Sequence, residues 1–271
     1  MRPNPGFLKP LAISFAALLA SCGALAADVT FTYTSLAPSG GVGVAPLWIG
    51  LQNGGYTVFS PGQTASAGLE QAAEDGSSAG LTSAFAAANP TGVQGTLVGA
   101  PAFSGDVRSL TLHNVDLSAA NRYLSYAGMV VVSSDYFLGN ASAIDLSSLA
   151  LGGAMTLMLG GAGGVYDAGT EINDFNYSVA NGAFGFGGGQ SAAGQGNAEN
   201  GVIHVVTGNP YASFLGQDLV PANYDWTALN FNQQPAFGSL TISVSAVPEP
   251  AEAVLLLAGL GAMGLVLRRR R

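Results

Sequence analysis

Polar and apolar residues alternate in several segments of the chain. The alternation is clearest in three of them, residues 29–34, 109–115 and 239–244. A period of two predicts β-strands with one face on a core and the other in solvent. Two mainly apolar runs, 126–132 and 201–206, are typical of strands buried on both faces. The pattern therefore predicts an all-β body.

Turn and helix signals connect these strands. Gln52-Asn53-Gly54-Gly55 separates the apolar segments 46–51 and 56–59 and predicts a hairpin, because an Asn-Gly pair favours a tight turn. Residues 67–75 and 82–88 have the pattern of two short helices inside a long connection. Short strands closed by turns, without a helix after each strand, favour an antiparallel β-sandwich.

The composition also favours turns over helices. Of the 271 residues, 39 are glycine and only 9% are charged, and each glycine inside a helix costs about 1 kcal/mol. The glycine-rich segments 160–164 and 182–189 are predicted to be loops. No internal repeat or linker divides the body, so residues 27–246 are interpreted as one domain.

The distribution of charge limits the expected partners. The formal net charge is −8, and the body has only two arginines, Arg108 and Arg122, and no lysine. Such an acidic body repels phosphate backbones, so nucleic acid is not an expected partner, whereas cations are. The single cysteine, Cys22, precedes the body, which therefore has no disulfide.

The first 26 residues have the three parts of a secretory signal peptide, which is predicted to form a signal helix. Two basic residues precede an apolar run at 11–20, and Ala24-Leu25-Ala26 forms a small-residue cleavage site, with Ala24 and Ala26 as its small residues. Acylation on Cys22 is an alternative, because Leu19-Ala20-Ser21-Cys22 also fits the bacterial lipoprotein pattern.

Residues 247–271 form a second sorting signal. Val247-Pro248-Glu249-Pro250 precedes an apolar stretch, 251–267, and four arginines. The stretch just suffices for a transmembrane helix with cytoplasmic arginines. This order resembles the PEP-CTERM sorting signal of Gram-negative bacteria. The resemblance implies export by the secretion machinery, transient anchoring in the inner membrane, and processing near Pro-Glu-Pro by an exosortase. The final location is then the cell surface, the outer envelope or the medium. A plain C-terminal membrane anchor is the alternative.

Signatures of catalysis are scarce, and a non-enzymatic protein is predicted. Both histidines, His113 and His204, lie within strand patterns. The body has no Gly-x-Ser-x-Gly elbow, no phosphate-binding loop with its lysine, and no lysine for covalent catalysis. Spacing alone does not identify a carboxylate pair for glycoside cleavage.

Carboxylates on two loops are the candidate metal ligands. Asp135 follows the apolar run 126–132, and Asp167 leads through Ala-Gly-Thr to Glu171 in a second predicted loop. Three carboxylates on two loops suit a hard cation, and Ca²⁺ accepts irregular oxygen geometry more readily than Mg²⁺. A solvated acidic loop is the alternative that the residues alone leave open.

The same segments resemble the spondin N-terminal domain. That family has a Ser-(Phe/Tyr)-Ala-x-Met strand leading into an Asp-containing turn, followed by a Tyr- or Trp-Asp-Ala-Gly-Thr-(Asp/Glu) loop. Residues 125–139 and 166–171 match these motifs in order, and 199–203 resembles the family further downstream. The resemblance implies an antiparallel β-sandwich that binds Ca²⁺ through Asp135, Asp167 and Glu171.

Two departures from the family motifs concern the metal loops. Ser133 stands where the family often has proline, and we expect a less rigid turn there. Glu171 replaces the aspartate of the animal members with a longer carboxylate, which retains the oxygen donor.

The expected function is that of an exported, non-catalytic, calcium-stabilised domain in adhesion or matrix interaction. Extracellular polysaccharide or other surface proteins are the expected partners outside the cell. Two alternatives are an exported hydrolase of matrix glycans that uses the same carboxylates, and a structural matrix component without a metal. An open cleft around the carboxylates would favour hydrolysis, whereas carboxylates closing around one ion would favour the metal site.

Overall fold

The computed structural model describes residues 26–118, 120–161, 163–174, 196–215, 225–232 and 236–247, together with Gly259. Within these ranges the chain is mostly β, with antiparallel sheets and two short α-helices. The predicted all-β class is therefore confirmed.

The elements follow one another along the chain with these bounds. The strands are β1 (Ala27–Ser35), β2 (Gly43–Val44), β3 (Leu47–Gln52), β4 (Val93–Leu97), β5 (Val107–Val115), β6 (Tyr123–Val131), β7 (Tyr136–Gly139), β8 (Ile144–Asp145), β9 (Ala154–Leu159), β10 (Val165–Asp167), β11 (His204–Val205) and β12 (Gly238–Ala246). The helices, both between β3 and β4, are α1 (Ala67–Glu74) and α2 (Ala79–Ala88).

One sheet has four strands in the order β5-β1-β12-β9. Its two central strands pair without interruption from Ala27 opposite Ala246 to Ser35 opposite Gly238. In β1 the side chains of Val29, Phe31 and Tyr33 are buried, while the threonines between them are partly exposed. The alternation read from the sequence thus places one face of this sheet on the core.

The second sheet has the order β11-β10-β7-β6-β3-β4, and β2 and β8 also pair with β6. Strand β6 is buried along most of its length. One face of this sheet contributes Ile49 and Leu124 to a hydrophobic cluster that also contains Phe31 and Ile242 of the four-stranded sheet. Because the inner side chains of both sheets form one cluster, the sheets pack as the predicted sandwich requires.

The opposite face of the second sheet is covered by the two helices. A second buried cluster combines Trp48 and Phe137 of the sheet with Leu69 of α1 and Phe85 of α2. Helix α1 begins after Ser66, whose hydroxyl accepts a hydrogen bond from the Leu69 amide at 3.3 Å. This coverage explains why β6 is apolar throughout rather than alternating.

The hairpin predicted across residues 52–55 is wrong. Strand β3 pairs with β4 and β6, and residues 56–59 form no strand. The buried Gln52 side chain donates to the Tyr56 carbonyl at 2.6 Å and accepts from the Tyr56 amide at 2.8 Å, which fixes the segment as a loop. The Tyr56 ring then packs against Trp48 and Phe85.

The strand predicted at 201–206 is shorter than expected. Only His204 and Val205 are in a strand, and both are exposed, although the flanking Ile203 and Val206 are buried. The predicted loop at 182–189 lies outside the described residues.

The predicted sorting segments also lie almost wholly outside the described residues. Of the signal and its cleavage site only Ala26 is described, and of the C-terminal signal only Val247 and Gly259 are. Within the ranges that the structure describes, no helix is long and apolar enough to cross a membrane. The signal helix and the C-terminal transmembrane helix stay predictions.

Candidate metal centre

Strand pairing brings two of the predicted ligands to the same end of the second sheet. Asp135 immediately precedes β7, and Asp167 is the last residue of β10. The two strands are antiparallel neighbours, with Asp167 opposite Tyr136. Residues adjacent in sequence to a directly paired position lie close together, so the register itself places Asp135 beside the end of β10.

The loop after β10 wraps around the Asp135 carboxylate. Oxygen Oδ2 of Asp135 accepts hydrogen bonds from the Thr170 amide at 2.8 Å, the Thr170 hydroxyl at 3.2 Å and the Glu171 amide at 3.1 Å. The Ala168 amide donates to the main-chain carbonyl of Asp135 at 3.2 Å. The motif Asp-Ala-Gly-Thr-Glu therefore has two roles. It supplies carboxylates, and its amide and hydroxyl groups orient the Asp135 carboxylate by donating hydrogen bonds to it.

Ser133 stabilises the turn that carries Asp135. Its buried hydroxyl donates to the Val130 carbonyl at 2.6 Å and accepts from the Tyr136 amide at 2.9 Å. These bonds connect the end of β6 to the start of β7 in place of a proline ring. The expectation of a less rigid turn considered only the missing proline ring. The Ser133 hydroxyl itself binds the main chain on both sides of the turn.

Gly169 allows a distant segment to approach the same loop. Its φ is +67°, and a Cβ atom built on it would lie 2.6 Å from the Val202 amide nitrogen. The Gly201 amide donates to the Gly169 carbonyl at 2.7 Å, and the Glu199 amide donates to the Thr170 carbonyl at 2.9 Å. These backbone bonds bring the carboxylate of Glu199 to the site.

Asp135, Asp167 and Glu199 form the convergent group. One potential ligand atom from each lies within 4.8 Å of the others. Asp135 is 0% exposed and Asp167 is 4% exposed, whereas Glu199 is on the surface. Oxygen Oδ1 of Asp135 is buried without a hydrogen-bond partner among the described residues. Burying a polar oxygen without a hydrogen-bond partner costs free energy unless something outside the protein binds that oxygen.

Glu171, the third predicted ligand, lies beside this convergent group and is not a member of it. It is 4% exposed, and its amide donates to Asp135. Its carboxyl lies against Gly196, where a Cβ atom would stand 2.0 Å from Oε1. The convergent group therefore contains Glu199 and not Glu171. The charge of Glu74, the last residue of α1, acts on the Glu171 carboxyl.

The sequence matches the Spondin_N family model over residues 48–182. The chain therefore contains a spondin N-terminal domain. Residues 246–271 match the PEP-CTERM protein-sorting motif, which indicates an exported protein of a Gram-negative bacterium whose processing depends on an exosortase. No curated protein matches the chain. The spondin match includes Asp135, Asp167 and Glu171 and ends before Glu199.

Burial and mutual repulsion raise the pKa values of three carboxylates at this end of the spondin domain. Burial, followed by the charge of Asp135, raises the pKa of Asp167 to about 6. Burial, followed by the charge of Glu74, raises the pKa of Glu171 to about 8. Burial also raises the pKa of Asp135, against the lowering effect of the loop hydrogen bonds. At neutral pH the site therefore lacks sufficient positive charge to ionise fully.

The two arginines of the spondin domain do not supply that charge. Arg108 lies 3.6 Å from Asp106, and Arg122 binds Asp145 at 2.6 Å. His204, opposite Asp167 across β10 and β11, brings Nε2 to 3.7 Å from Oδ2 of Asp167, and its side chain is 56% exposed. Buried oxygens with an excess of negative charge are the donor set that a divalent cation requires.

Glu199 is the member of the convergent group that was not predicted from the sequence. The segment 199–203 resembles the family, but its spacing assigns no role to the glutamate. The information lay in its pairing with the loop after β10, because the Ile172 amide donates to the Asn197 carbonyl at 2.8 Å and the bonds of Glu199 and Gly201 follow. Local periodicity does not predict such contacts.

Proposed function

We propose that this chain is an exported surface or matrix protein whose spondin domain binds Ca²⁺ and acts in adhesion without catalysis. The observation that carries the proposal is the convergence of Asp135, Asp167 and Glu199 within 4.8 Å. The buried, unpartnered Oδ1 of Asp135 at that point supports it further. The exported character rests on the spondin and sorting-motif matches.

The donor set favours calcium over other cations. The carboxylate oxygens come from the residue before β7, the end of β10 and a surface segment, and Ca²⁺ tolerates the irregular geometry of such a donor set. Bound there, Ca²⁺ would supply positive charge that neutralises the carboxylates. Asp135 and Asp167 would hold it from the buried side and Glu199 from the surface, with water completing the shell.

The role of Glu171 in this proposal is distinct. Its amide orients Asp135, and its carboxyl adds negative charge beside the site. Glu171 is also the ligand that the family resemblance implies. Glu199 and Glu171 are therefore separable candidates for the third carboxylate, and single substitutions distinguish them.

The burial of the carboxylates supports a non-catalytic role. A glycan hydrolase needs an acid and a base that line a cleft open to a polymer. Here Asp135 and Asp167 are almost wholly buried, and their oxygens are bound by amides of the surrounding loop. Such an arrangement suits an ion better than a sugar ring.

The surroundings of the site support a binding surface. Ile172 and Val202, which are 47% and 45% exposed, lie on the two segments that pair beside the site. Exposed apolar groups next to a bound cation form a surface that an extracellular polysaccharide or another surface protein can contact. In this proposal the cation fixes the loops that carry these residues.

The test is a thermal melt of the full chain, solubilised in detergent, in calcium and in chelator. At a hundredfold excess of calcium over Kd, we expect stabilisation by about 2.7 kcal/mol, or roughly 5–10 °C in Tm. Asp135→Asn should abolish the shift. Asp116→Asn, which makes the same charge change on the β5–β6 connection, should retain it.

Three further results decide between the alternatives. No calcium shift in the unmodified chain would leave a metal-free structural protein. If the shift is lost in Glu199→Gln and kept in Glu171→Gln, Glu199 is the third ligand, and the reverse result assigns that role to Glu171. Turnover of a matrix glycan that disappears in Asp135→Asn would overturn the non-catalytic proposal.

A further inference from the structure

The two sheets have four edges, and three of them have features that prevent pairing with another strand. Strand β5 carries Arg108 and His113, and its register with β1 is interrupted between Ala27 and Val29. Strand β11 has only two residues. Charges, irregular pairing and short length are known protections of exposed edges.

The edge at β4 is protected by residues that are distant from it in sequence. The Asn121 side chain accepts from the Val93 amide at 3.2 Å. Gln94 donates to the Thr82 carbonyl of α2 at 2.9 Å, and Thr96 bonds to Ser78 at 2.9 Å. Asn121 thus binds one backbone amide of β4, and the side chains of Gln94 and Thr96 attach residues of α2 and its N-cap to this edge.

Strand β9 has none of these protections. Its sequence, Ala-Met-Thr-Leu-Met-Leu, contains no charge and no proline, and no charged residue occurs from 146 to 166. Six consecutive residues pair with β12 without a bulge, from Ala154 opposite Ser243 to Leu159 opposite Gly238. Within the described part of the chain, no strand lies on its other side.

The direction of the backbone groups defines which residues face outward. The carbonyls of Gly153 and Leu159 accept from amides of Val244 and Phe237, so the odd-numbered residues point toward β12. Because backbone groups alternate along a strand, those of Ala154, Thr156 and Met158 point away from the sheet. An uncharged row of outward N–H and C=O groups matches only another extended strand.

We propose that β9 is an assembly edge at which two copies of this chain pair antiparallel, with Thr156 on the two-fold axis. This register gives each outward N–H and C=O of residues 154, 156 and 158 a partner. It places the half-buried Met155 opposite Leu157 of the second copy and Met158 opposite Ala154. The two four-stranded sheets become one sheet of eight strands.

Charge and side-chain pairing identify a second copy as the occupant. Two chains of net charge −8 repel each other over most of their surface, and the segment 146–166 is a place where they can meet without charge. Thr156 already bonds Thr241 at 3.0 Å across β9 and β12. Thr156 of the partner would extend that row, and paired threonines stabilise adjacent strands.

Single cysteines test the register in the full chain carrying Cys22→Ser, which removes its only cysteine. Thr156→Cys lies on the axis, about 5 Å from its copy, and should form a dimer with a short bis-maleimide. Ala154→Cys and Met158→Cys should each fail alone and cross-link when mixed. Thr32→Cys, on the same face of the internal strand β1, is the matched control and should stay monomeric on the gel.

A charge at the edge tests the association itself. In sedimentation of the full chain in detergent, Thr156→Lys should raise the dimer Kd by at least about tenfold, because two ammonium groups would meet on the axis. Thr32→Lys should leave it unchanged, and circular dichroism verifies that both variants fold. A monomeric unmodified chain, or a Thr156→Cys chain that maleimide labels without cross-linking, would overturn the proposal.

Discussion

The four-stranded sheet and the carboxylate-bearing end of the second sheet depend on different physical interactions. In the first, Phe31 and Ile242 are fully buried in the core, and pairing follows the alternation of side chains. In the second, Asp135 is equally buried but is surrounded by amides and other carboxylates. Burial therefore stabilises the first region unconditionally, whereas the second requires protons or a cation to neutralise its charge.

The largest effect is expected in the four-stranded sheet. Phe31→Ala removes a fully buried ring from β1 and should lower the free energy of unfolding by about 3–5 kcal/mol. Denaturant titration should give the same loss in calcium and in chelator. Thr32→Ala, on the outer face of the same strand, should cost far less, and a calcium-dependent Phe31→Ala loss would contradict the separation of the two regions.

The next effect concerns the carboxylate end. Asp167→Asn removes a predicted ligand and should eliminate the calcium-dependent stabilisation of about 3 kcal/mol. In chelator the variant should be no less stable than the unmodified chain, since it removes a buried negative charge beside Asp135. Melts in both conditions measure this difference. An equal loss of stability in chelator would contradict the proposed metal site.

The pH dependence of Tm should differ between chelator and saturating calcium. A carboxyl whose pKa rises on folding stabilises the native state while it is protonated. Its contribution is therefore lost as the pH rises from the ordinary value of 4.5 to about 8 for Glu171. In chelator Tm should fall between pH 5 and pH 8, and saturating calcium should reverse that fall because it binds the ionised site.

Glu171→Gln is the control for this titration. Without its carboxyl, much of the fall in Tm between pH 5 and pH 8 should disappear in chelator. Scanning fluorimetry over that range measures it. An apo chain whose Tm rises steadily with pH would show that the buried carboxylates ionise without cost, against the raised pKa values.

The smallest effect is expected at the start of helix α1. Ser66→Ala removes the hydroxyl that accepts from the Leu69 amide and should cost about 1 kcal/mol. The helix ends at Glu74, beside the carboxylates, but its cap lies at the other terminus. We therefore expect an unchanged calcium affinity by titration calorimetry. A large loss of affinity would show that the start of α1 also stabilises the carboxylate site.

The parts of the fold that sequence predicts well are those decided by local patterning. Strands β1, β5 and β12 alternate cleanly, and each forms within two residues of its expected bounds. The hairpin after β3 fails because a side chain, Gln52, binds the main chain that a second strand would need. Turn propensity does not include that competition.

The candidate site shows the same limit. Asp135 could be predicted because it follows a recognisable strand, and Asp167 because it lies in the Asp-Ala-Gly-Thr motif. Glu199 could not, because its position depends on backbone bonds between residues 169–172 and 197–201, which no period in the sequence reveals. Burial was likewise unpredictable for Glu171, a residue type that is usually exposed.

The place of β12 in its sheet has a mechanical consequence. This strand leads directly into the sorting motif, and it pairs with β1 over nine residues on one side and with β9 over six on the other. A pull transmitted through the residues after Ala246 acts along β12. Both rows of hydrogen bonds then bear the load in shear, all at once, rather than opening one by one. A strand paired on both sides in this way resists such a pull better than an edge strand would.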